Sequence, residues 1–64
     1  MTETEKELLE GLRDMVRQHC YHDEKGRYDS GALSANADAL ELLAKHGLFE
    51  IESSRGRMVI GRFK

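Results

Sequence analysis

The segment from Ala35 to Phe63 constrains the fold most, because a helical pattern there meets a glycine and changes directly into a strand pattern. The run ALELLAKH places leucines at helical spacing. Gly47 followed by Leu48 is typical of a helix that stops in a left-handed residue and folds an apolar side chain back onto its last turn. Phe49 and Ile51 then alternate with glutamates, as in a half-buried strand. The segment therefore predicts a helix followed by a two-stranded hairpin.

The predicted second helix covers residues 35–46, with Ser34 as its N-cap or, alternatively, a start as early as Ser30. Helical spacing assigns one face to five apolar residues: Leu33, Ala37, Leu40, Leu43 and Ala44. We expect Leu33 to enter the core. Lys45 and His46 lie at the negative end of the helix dipole, where positive charge is favoured.

The predicted hairpin covers residues 48–63, with its reversal at Ser53–Gly56. Three consecutive apolar residues follow in Met58–Ile60. Because side chains alternate between the faces of a strand, this run predicts that both faces are partly covered. A second copy of the chain is one way to cover the outer face.

The predicted first helix covers residues 5–20. Thr4 and Glu7 have the spacing of a capping box, in which each side chain receives the backbone N–H of the other residue. One apolar stripe follows at helical spacing: Leu8, Leu9, Leu12, Met15, Val16 and Cys20. Gly11 lies inside this helix at a cost of about 1 kcal/mol relative to alanine.

Residues 21–34 break the helical pattern and are predicted to form a turn-rich loop. Asp23–Gly26 has turn chemistry, and Tyr21 and Tyr28 flank it closely enough to pack on one another. A small irregular hairpin is the alternative for this segment. The whole pattern predicts an α+β fold of one small domain, residues 1–64, in the order helix, loop, helix, hairpin.

A chain of 64 residues buries a modest core, and small domains usually add disulfides, a metal or a partner subunit. Cys20 is the single cysteine, which excludes a disulfide within the chain and fits a reducing compartment. We therefore expect self-association, with part of an apolar set buried between two copies: Leu8, Leu12, Met15, Val59 or Phe63. The acidic first residues predict no signal peptide, and no run reaches the ~18 apolar residues of a membrane span. The sequence thus predicts a soluble, cytoplasmic protein.

The run GLFEIESSRGRMVIGRF after ALELLAKH resembles the junction between recognition helix and wing in winged-helix domains. The resemblance covers about the last thirty residues and rests on a helix stop, an alternating strand and a basic turn. It implies nucleic-acid binding, with Arg55 and Arg57 at the position of the wing tip. No acidic residue occurs after Glu52, and four cations make the candidate nucleic-acid contact: Arg55, Arg57, Arg62 and Lys64.

The metal-ligand types cluster once, at His19, Cys20, His22 and Asp23. A zinc site commonly uses two separated ligand pairs, whereas these four residues belong to one segment and the remaining histidine is His46. Cys20 instead extends the apolar stripe as a small hydrophobe. We predict no metal and no other cofactor.

The chain contains neither a nucleophile elbow nor a phosphate-binding glycine loop, so it lacks the common sequence signatures of hydrolases and nucleotide-binding proteins. We therefore expect a non-enzymatic protein, either a protein-interaction or accessory domain that contacts another protein or a second copy of itself, or a nucleic-acid-binding regulator that uses the basic hairpin.

Overall fold

The computed structural model describes residues 1–31 and 33–64, so Ala32, in the predicted loop, lies outside the described residues. Within these ranges, two helices and four strands follow one another: α1 (Glu3–His19), β1 (Tyr21–His22), β2 (Tyr28–Asp29), α2 (Ser34–Lys45), β3 (Phe49–Arg55) and β4 (Met58–Phe63). The strands form one antiparallel sheet in the order β1-β2-β4-β3. The predicted α+β class is therefore confirmed. No helix in the described ranges has the length and apolar character needed to cross a membrane.

Helix α1 begins with a capping box two residues earlier than predicted. The N–H of Glu5 donates to Oγ1 of Thr2 at 3.1 Å, and the N–H of Thr2 donates to Oε1 of Glu5 at 3.3 Å. The predicted capping box of Thr4 and Glu7 was wrong. Both threonines precede a glutamate by three residues, so the spacing alone does not choose between them. The earlier pair forms because it adds hydrogen-bonded residues to the helix.

The predicted loop 21–34 contains the short hairpin β1-β2, so the assignment of the whole segment as loop was wrong and the alternative was right. Asp23 organises its turn: one carboxylate oxygen accepts the N–H groups of Lys25 and Arg27, both at 2.9 Å, and the other accepts Nε of Arg27 at 2.8 Å. The strand pairing does not bring Tyr21 and Tyr28 together as expected, because Tyr28 pairs with His22. The rings of His22 and Tyr28 lie 5.4 Å apart.

Ser30 continues the β2–β4 pairing and does not cap α2. Its Oγ accepts the N–H of Val59 at 2.9 Å, and its own N–H donates to the carbonyl of Val59 at 3.0 Å. Ser34 does not cap α2 either, so both predicted N-caps were wrong. Ser34 is the first residue of the helix, and Leu33 takes the N-cap position without a side-chain capping hydrogen bond. Leu33 is 62% exposed, so its predicted place in the core was wrong.

The end of α2 has the predicted left-handed stop. Gly47 adopts φ +80°, its N–H donates to the carbonyl of Ala44, and the N–H of Leu48 donates to the carbonyl of Leu43. These two bonds form a Schellman motif, which satisfies carbonyls at the helix end. The stop places Leu48 directly before β3 with its side chain against the core.

Strands β3 and β4 form the predicted hairpin with a tighter turn than expected. The turn residues are Gly56, with φ +59°, and Arg57, whereas the reversal was predicted at Ser53–Gly56. The pairing shifts between Ile51 and Ser53, which marks a bulge that lets β3 run on to Arg55.

The core lies between the two helices and one face of the sheet. Its buried apolar residues come from all three: Val16, Cys20, Ala37, Leu40, Leu43, Phe49 and Val59. Phe63 packs edge-on against both Phe49 and Tyr28, with ring centroids 4.9 Å apart in each pair. Met58, Ile60 and Arg62 alternate with the inward residues of β4 and therefore lie on the opposite face.

Candidate interaction surface

One side of α1 carries apolar residues that the core does not cover. Val16 is the buried residue of this helix, whereas the side chain of Leu8 is 69% exposed and that of Met15 is 56% exposed. Gly11 lies between them, because residues three and four apart are neighbours on a helix surface. We call Leu8, Gly11, Leu12 and Met15 the α1 face.

The α1 face stays open because the core contacts only part of the apolar stripe. Val16 and Cys20 join the core, and Leu12 packs at its edge. Leu8 and Met15 are rotated from Val16 by roughly a quarter of a turn, given 3.6 residues per helical turn. Single exposed apolar residues are common on protein surfaces, whereas a continuous strip marks a binding surface more often.

Gly11 has no neighbour that explains its presence in the helix. A Cβ placed on this residue would meet no heavy atom within 4 Å. Glycine destabilises a helix interior by about 1 kcal/mol relative to alanine, so the fold itself gains nothing from Gly11.

The ends of α1 carry opposite charges. Glu3 and Glu5 lie in the first turn, and Arg17 and His19 lie in the last turn. Glu3 and Glu5 complement the helix dipole at the first turn, and Arg17 complements it at the last.

The four cations predicted to contact nucleic acid do not form one cluster. Arg55 and Arg57 lie together at the tip of the β3–β4 hairpin, and both are exposed. Lys64 follows the opposite end of β4, roughly 20 Å away at about 3.3 Å per strand residue. The structure thus brings two of the four residues together.

Carboxylates accompany two of these four cations. Nε of Arg62 donates to Oε2 of Glu52 at 3.1 Å, in an ion pair on the outer face of the sheet. Arg57 shares a depression of about 240 Å³ with Asp38 and Glu41 of α2. These carboxylates reduce the positive potential that a phosphate backbone would meet.

The candidate metal ligands are not gathered at one point in the described parts of the chain, where no three side chains from His, Cys, Asp and Glu come together. Burial raises the pKa of the Cys20 thiol above its ordinary value, and the negative charge of Asp29 adds to the rise. The thiolate needed for metal binding or nucleophilic attack is therefore disfavoured. Asp23 accepts a hydrogen bond from Nε of Arg27. His46 lies beside Leu48, away from the other candidate ligands.

Arg17 forms a contact that no sequence pattern predicted. Its guanidinium lies 5.8 Å from the centroid of the Tyr28 ring and 5.9 Å from that of Phe63, and its Nε donates to the Tyr28 hydroxyl at 3.3 Å. Cation–π contacts of this kind stabilise the packing of the last turn of α1 against the sheet. No local pattern reveals this contact, because the three residues are distant in the chain.

The chain is similar to an uncharacterized protein of Methanocaldococcus jannaschii, with 46% identity over 57 residues. The match covers 89% of this chain and 38% of that relative, so the chain spans well under half of the relative's length. No protein-family model matches the chain. No solved structure matches it either.

Proposed function

We propose that the chain is a non-enzymatic protein-interaction domain whose contact surface is the α1 face. The observation that carries this proposal is the exposure of Leu8 and Met15 around Gly11 on one side of a regular helix. Full burial of a leucine or methionine side chain contributes about 1.5–3 kcal/mol, so a partner that covers the face gains stabilisation that the isolated chain lacks.

The relative is longer than this chain. The similar segment makes up 38% of a longer protein there, so a segment of this kind occurs alongside further chain. A small domain that leaves one helix side open is suited to contact another polypeptide, whether it belongs to the same chain or to a different one.

Site-specific photo-crosslinking in the native cells tests this proposal. A benzophenone amino acid replaces Met15 on the α1 face, and in a control protein it replaces Glu24, which is exposed in the turn between β1 and β2. We expect a discrete adduct from the probe at Met15 and none from the probe at Glu24. Adding Leu8→Lys to the Met15 probe protein should abolish the adduct, because the lysine places a charge in the apolar contact.

Two outcomes would overturn the proposal. Equal crosslinking from both positions means that contacts are non-specific, and no adduct from Met15 means that the face has no partner. Urea unfolding of the Leu8→Lys variant serves as the folding control. Since Leu8 is exposed, the variant should keep the cooperative unfolding transition of a folded chain.

Nucleic-acid binding through the hairpin tip is the second candidate. Arg55 and Arg57 favour it, because both are exposed at a projecting turn. The resemblance to winged-helix domains stays a prediction. Between α1 and α2, where that family usually has a further helix, the described residues form β1 and β2.

A salt-dependent titration against generic duplex DNA tests the second candidate. If the tip binds phosphates, affinity should fall steeply with salt, and the double variant Arg55→Ala, Arg57→Ala should lower the slope of the salt dependence by about two. Lys64→Ala is the matched control, since Lys64 lies at the other end of β4. Binding that survives the double variant unchanged, or no binding at low salt, rejects this candidate.

A further inference from the structure

We propose that the groove between the last turn of α1 and the hairpin β1-β2 binds a small phosphomonoester through its phosphate group. The groove is open and has a volume of about 740 Å³, which lies in the range of small-molecule sites. Its polar and aromatic lining residues are Arg17, Gln18, His19, Tyr21, His22 and Tyr28. None of them belongs to the α1 face, so the site does not depend on the function proposed for that face.

Arg17 is held in position at this groove. Its Nε donates to the Tyr28 hydroxyl at 3.3 Å, and its guanidinium lies within 6 Å of two ring centroids, at 5.8 Å from that of Tyr28 and 5.9 Å from that of Phe63. A free arginine loses rotamer entropy when it binds an anion, whereas a side chain that the fold already holds loses less. The guanidinium is therefore preorganised for a ligand.

The positive charge of Arg17 is not neutralised by an ion pair in the described part of the chain. Three other arginines each pair with a carboxylate: Arg13, Arg27 and Arg62. The hydrogen bond from Nε of Arg17 to Tyr28 uses one of the guanidinium N–H groups, and those of the two terminal nitrogens remain free to donate. Arg17 thus combines a fixed position with an unpaired charge.

The other lining groups also supply hydrogen-bond donors. The Tyr28 hydroxyl accepts from Arg17 and still has its own O–H to donate. Gln18 contributes an amide, and His19 and His22 contribute ring N–H groups. A phosphate group carries negative charge and several strong acceptor oxygens, so its chemistry complements this set of donors.

Acidic side chains are absent from the groove lining among the described residues, although the chain has 12 of them. Two carboxylates near the groove make other hydrogen bonds. One oxygen of Asp14 accepts Nε of Arg13 at 3.0 Å, and one oxygen of Asp29 accepts the N–H of Gly31 at 2.9 Å. An anion entering the groove therefore meets donors before it meets negative charge.

Tyr21 provides a surface for the organic part of the ligand. This residue is 74% exposed and lines the groove beside the donors. Aromatic side chains of this kind stack on flat rings such as nucleic-acid bases. An inorganic phosphate ion would occupy only a small part of the groove, so the geometry favours a phosphomonoester that carries a planar ring.

Nuclear magnetic resonance titration of the full chain with adenosine monophosphate tests the site. We expect the backbone amide signals of residues 17–22 and of Tyr28 to shift. Adenosine, which lacks the phosphate, should bind about tenfold or more weakly, and inorganic phosphate should also bind more weakly than the monophosphate. Shifts confined to other residues, or no shifts at millimolar concentration, overturn the site. Adenosine that binds as tightly as its monophosphate overturns the phosphate as the anchor, and inorganic phosphate that does so overturns the role of Tyr21.

The variant Gln18→Glu tests the electrostatics without altering the packing of Arg17. It places a carboxylate in the groove, so the dissociation constant for adenosine monophosphate should rise by about tenfold or more. Gln18 is exposed, so the variant should keep its fold, which circular dichroism checks. Ser54→Glu adds the same charge on β3, at the opposite edge of the sheet from β1, and should bind like the parent. Equal weakening in both variants, or none in Gln18→Glu, overturns the proposed site.

Arg17→Met tests the anchoring cation itself. Methionine keeps an apolar chain against Tyr28 and Phe63 and removes the charge, so binding of the monophosphate should be lost. Urea unfolding shows whether this variant remains folded, and if it does not, Gln18→Glu decides. A folded Arg17→Met protein that binds as the parent does overturns the assignment of Arg17.

Discussion

Gly61 lies where the sheet admits no side chain. A Cβ on this residue would collide with the carbonyl oxygen of Glu50 and come within 2.8 Å of the Phe49 ring. Tyr28 and Ile51 pair with Gly61 from the two neighbouring strands, so the backbone is held on both sides.

The change Gly61→Ala should therefore destabilise the fold by about 3 kcal/mol, the upper part of the usual range for overpacking. The neighbouring atoms are backbone and a buried aromatic ring, which limits their ability to move. Urea denaturation followed by circular dichroism measures the effect. Stability within error of the parent would show that β4 can shift away from β3 at this position.

Gly11 should respond in the opposite direction. In the Leu8→Lys background, in which the α1 face should bind no partner, Gly11→Ala should raise the free energy of unfolding by about 0.5–1 kcal/mol, because the new methyl group meets no neighbour and alanine favours the helix. The same denaturation experiment measures it. A loss of stability would mean that α1 packs around Gly11 more tightly than the structure shows.

The hairpin β1-β2 depends on one carboxylate. The backbone N–H of Arg27 is the main cause that lowers the pKa of Asp23, and the Arg27 guanidinium and the N–H of Lys25 lower it further. A carboxyl whose pKa is lowered in the folded chain adds stability above its unfolded pKa of about 3.9. That contribution is lost as the pH falls through the lower folded pKa.

Asp23→Asn should therefore reduce stability at neutral pH by a small amount, and the difference from the parent should shrink below about pH 4. Urea unfolding of both proteins between neutral and strongly acidic pH measures the difference. Glu24→Gln controls for the loss of one negative charge in the same turn. A difference that stays constant across this range would contradict the role assigned to Asp23.

For the molecule as a whole, small size makes the stability of the fold depend on association with a partner. A 64-residue chain buries a small core, and the α1 face leaves apolar area that only a partner can cover. Association of folded chains stabilises them by mass action, so a dimer melts at a higher temperature when it is more concentrated.

The midpoint of thermal unfolding should therefore rise with protein concentration for the parent chain and stay constant for Leu8→Lys. Differential scanning calorimetry across a hundredfold range of concentration, a range that corresponds to about 2.7 kcal/mol of mass-action free energy, measures the shift. A midpoint independent of concentration in both proteins would exclude dimer dissociation from the unfolding reaction.

Helix α2 and the β3–β4 hairpin were predictable because their signals are local. The left-handed stop at Gly47 and the strand that begins at Phe49 depend on neighbouring residues, and the structure has both within one or two residues of the predicted bounds. The predicted alternation was wrong at Ile51, which is 39% exposed whereas Phe49 is buried. The turn at Gly56 and Arg57 was misplaced because the bulge in β3 depends on its pairing with β4, which has no signature of its own in the sequence.

The candidate surface was predictable in part. The stripe on α1 was recognised, but its spacing could not separate the side that enters the core from the side that stays exposed. Val16 became buried and Met15 remained exposed because α2 and the sheet cover one angular sector of the helix. Val59, which was expected as a candidate for contact between copies, lies in the core at 1% exposure.

The residue pattern alone thus establishes the α+β class, α1, α2 and the hairpin, since turns, caps and periodicity act over a few residues. Contacts between distant residues establish the rest: Ser30 joins β4, Arg17 covers Tyr28 and Phe63, and Lys64 is separated from Arg57. These arrangements arise when the elements pack together, because their free energy comes from neighbours that the chain brings near only on folding.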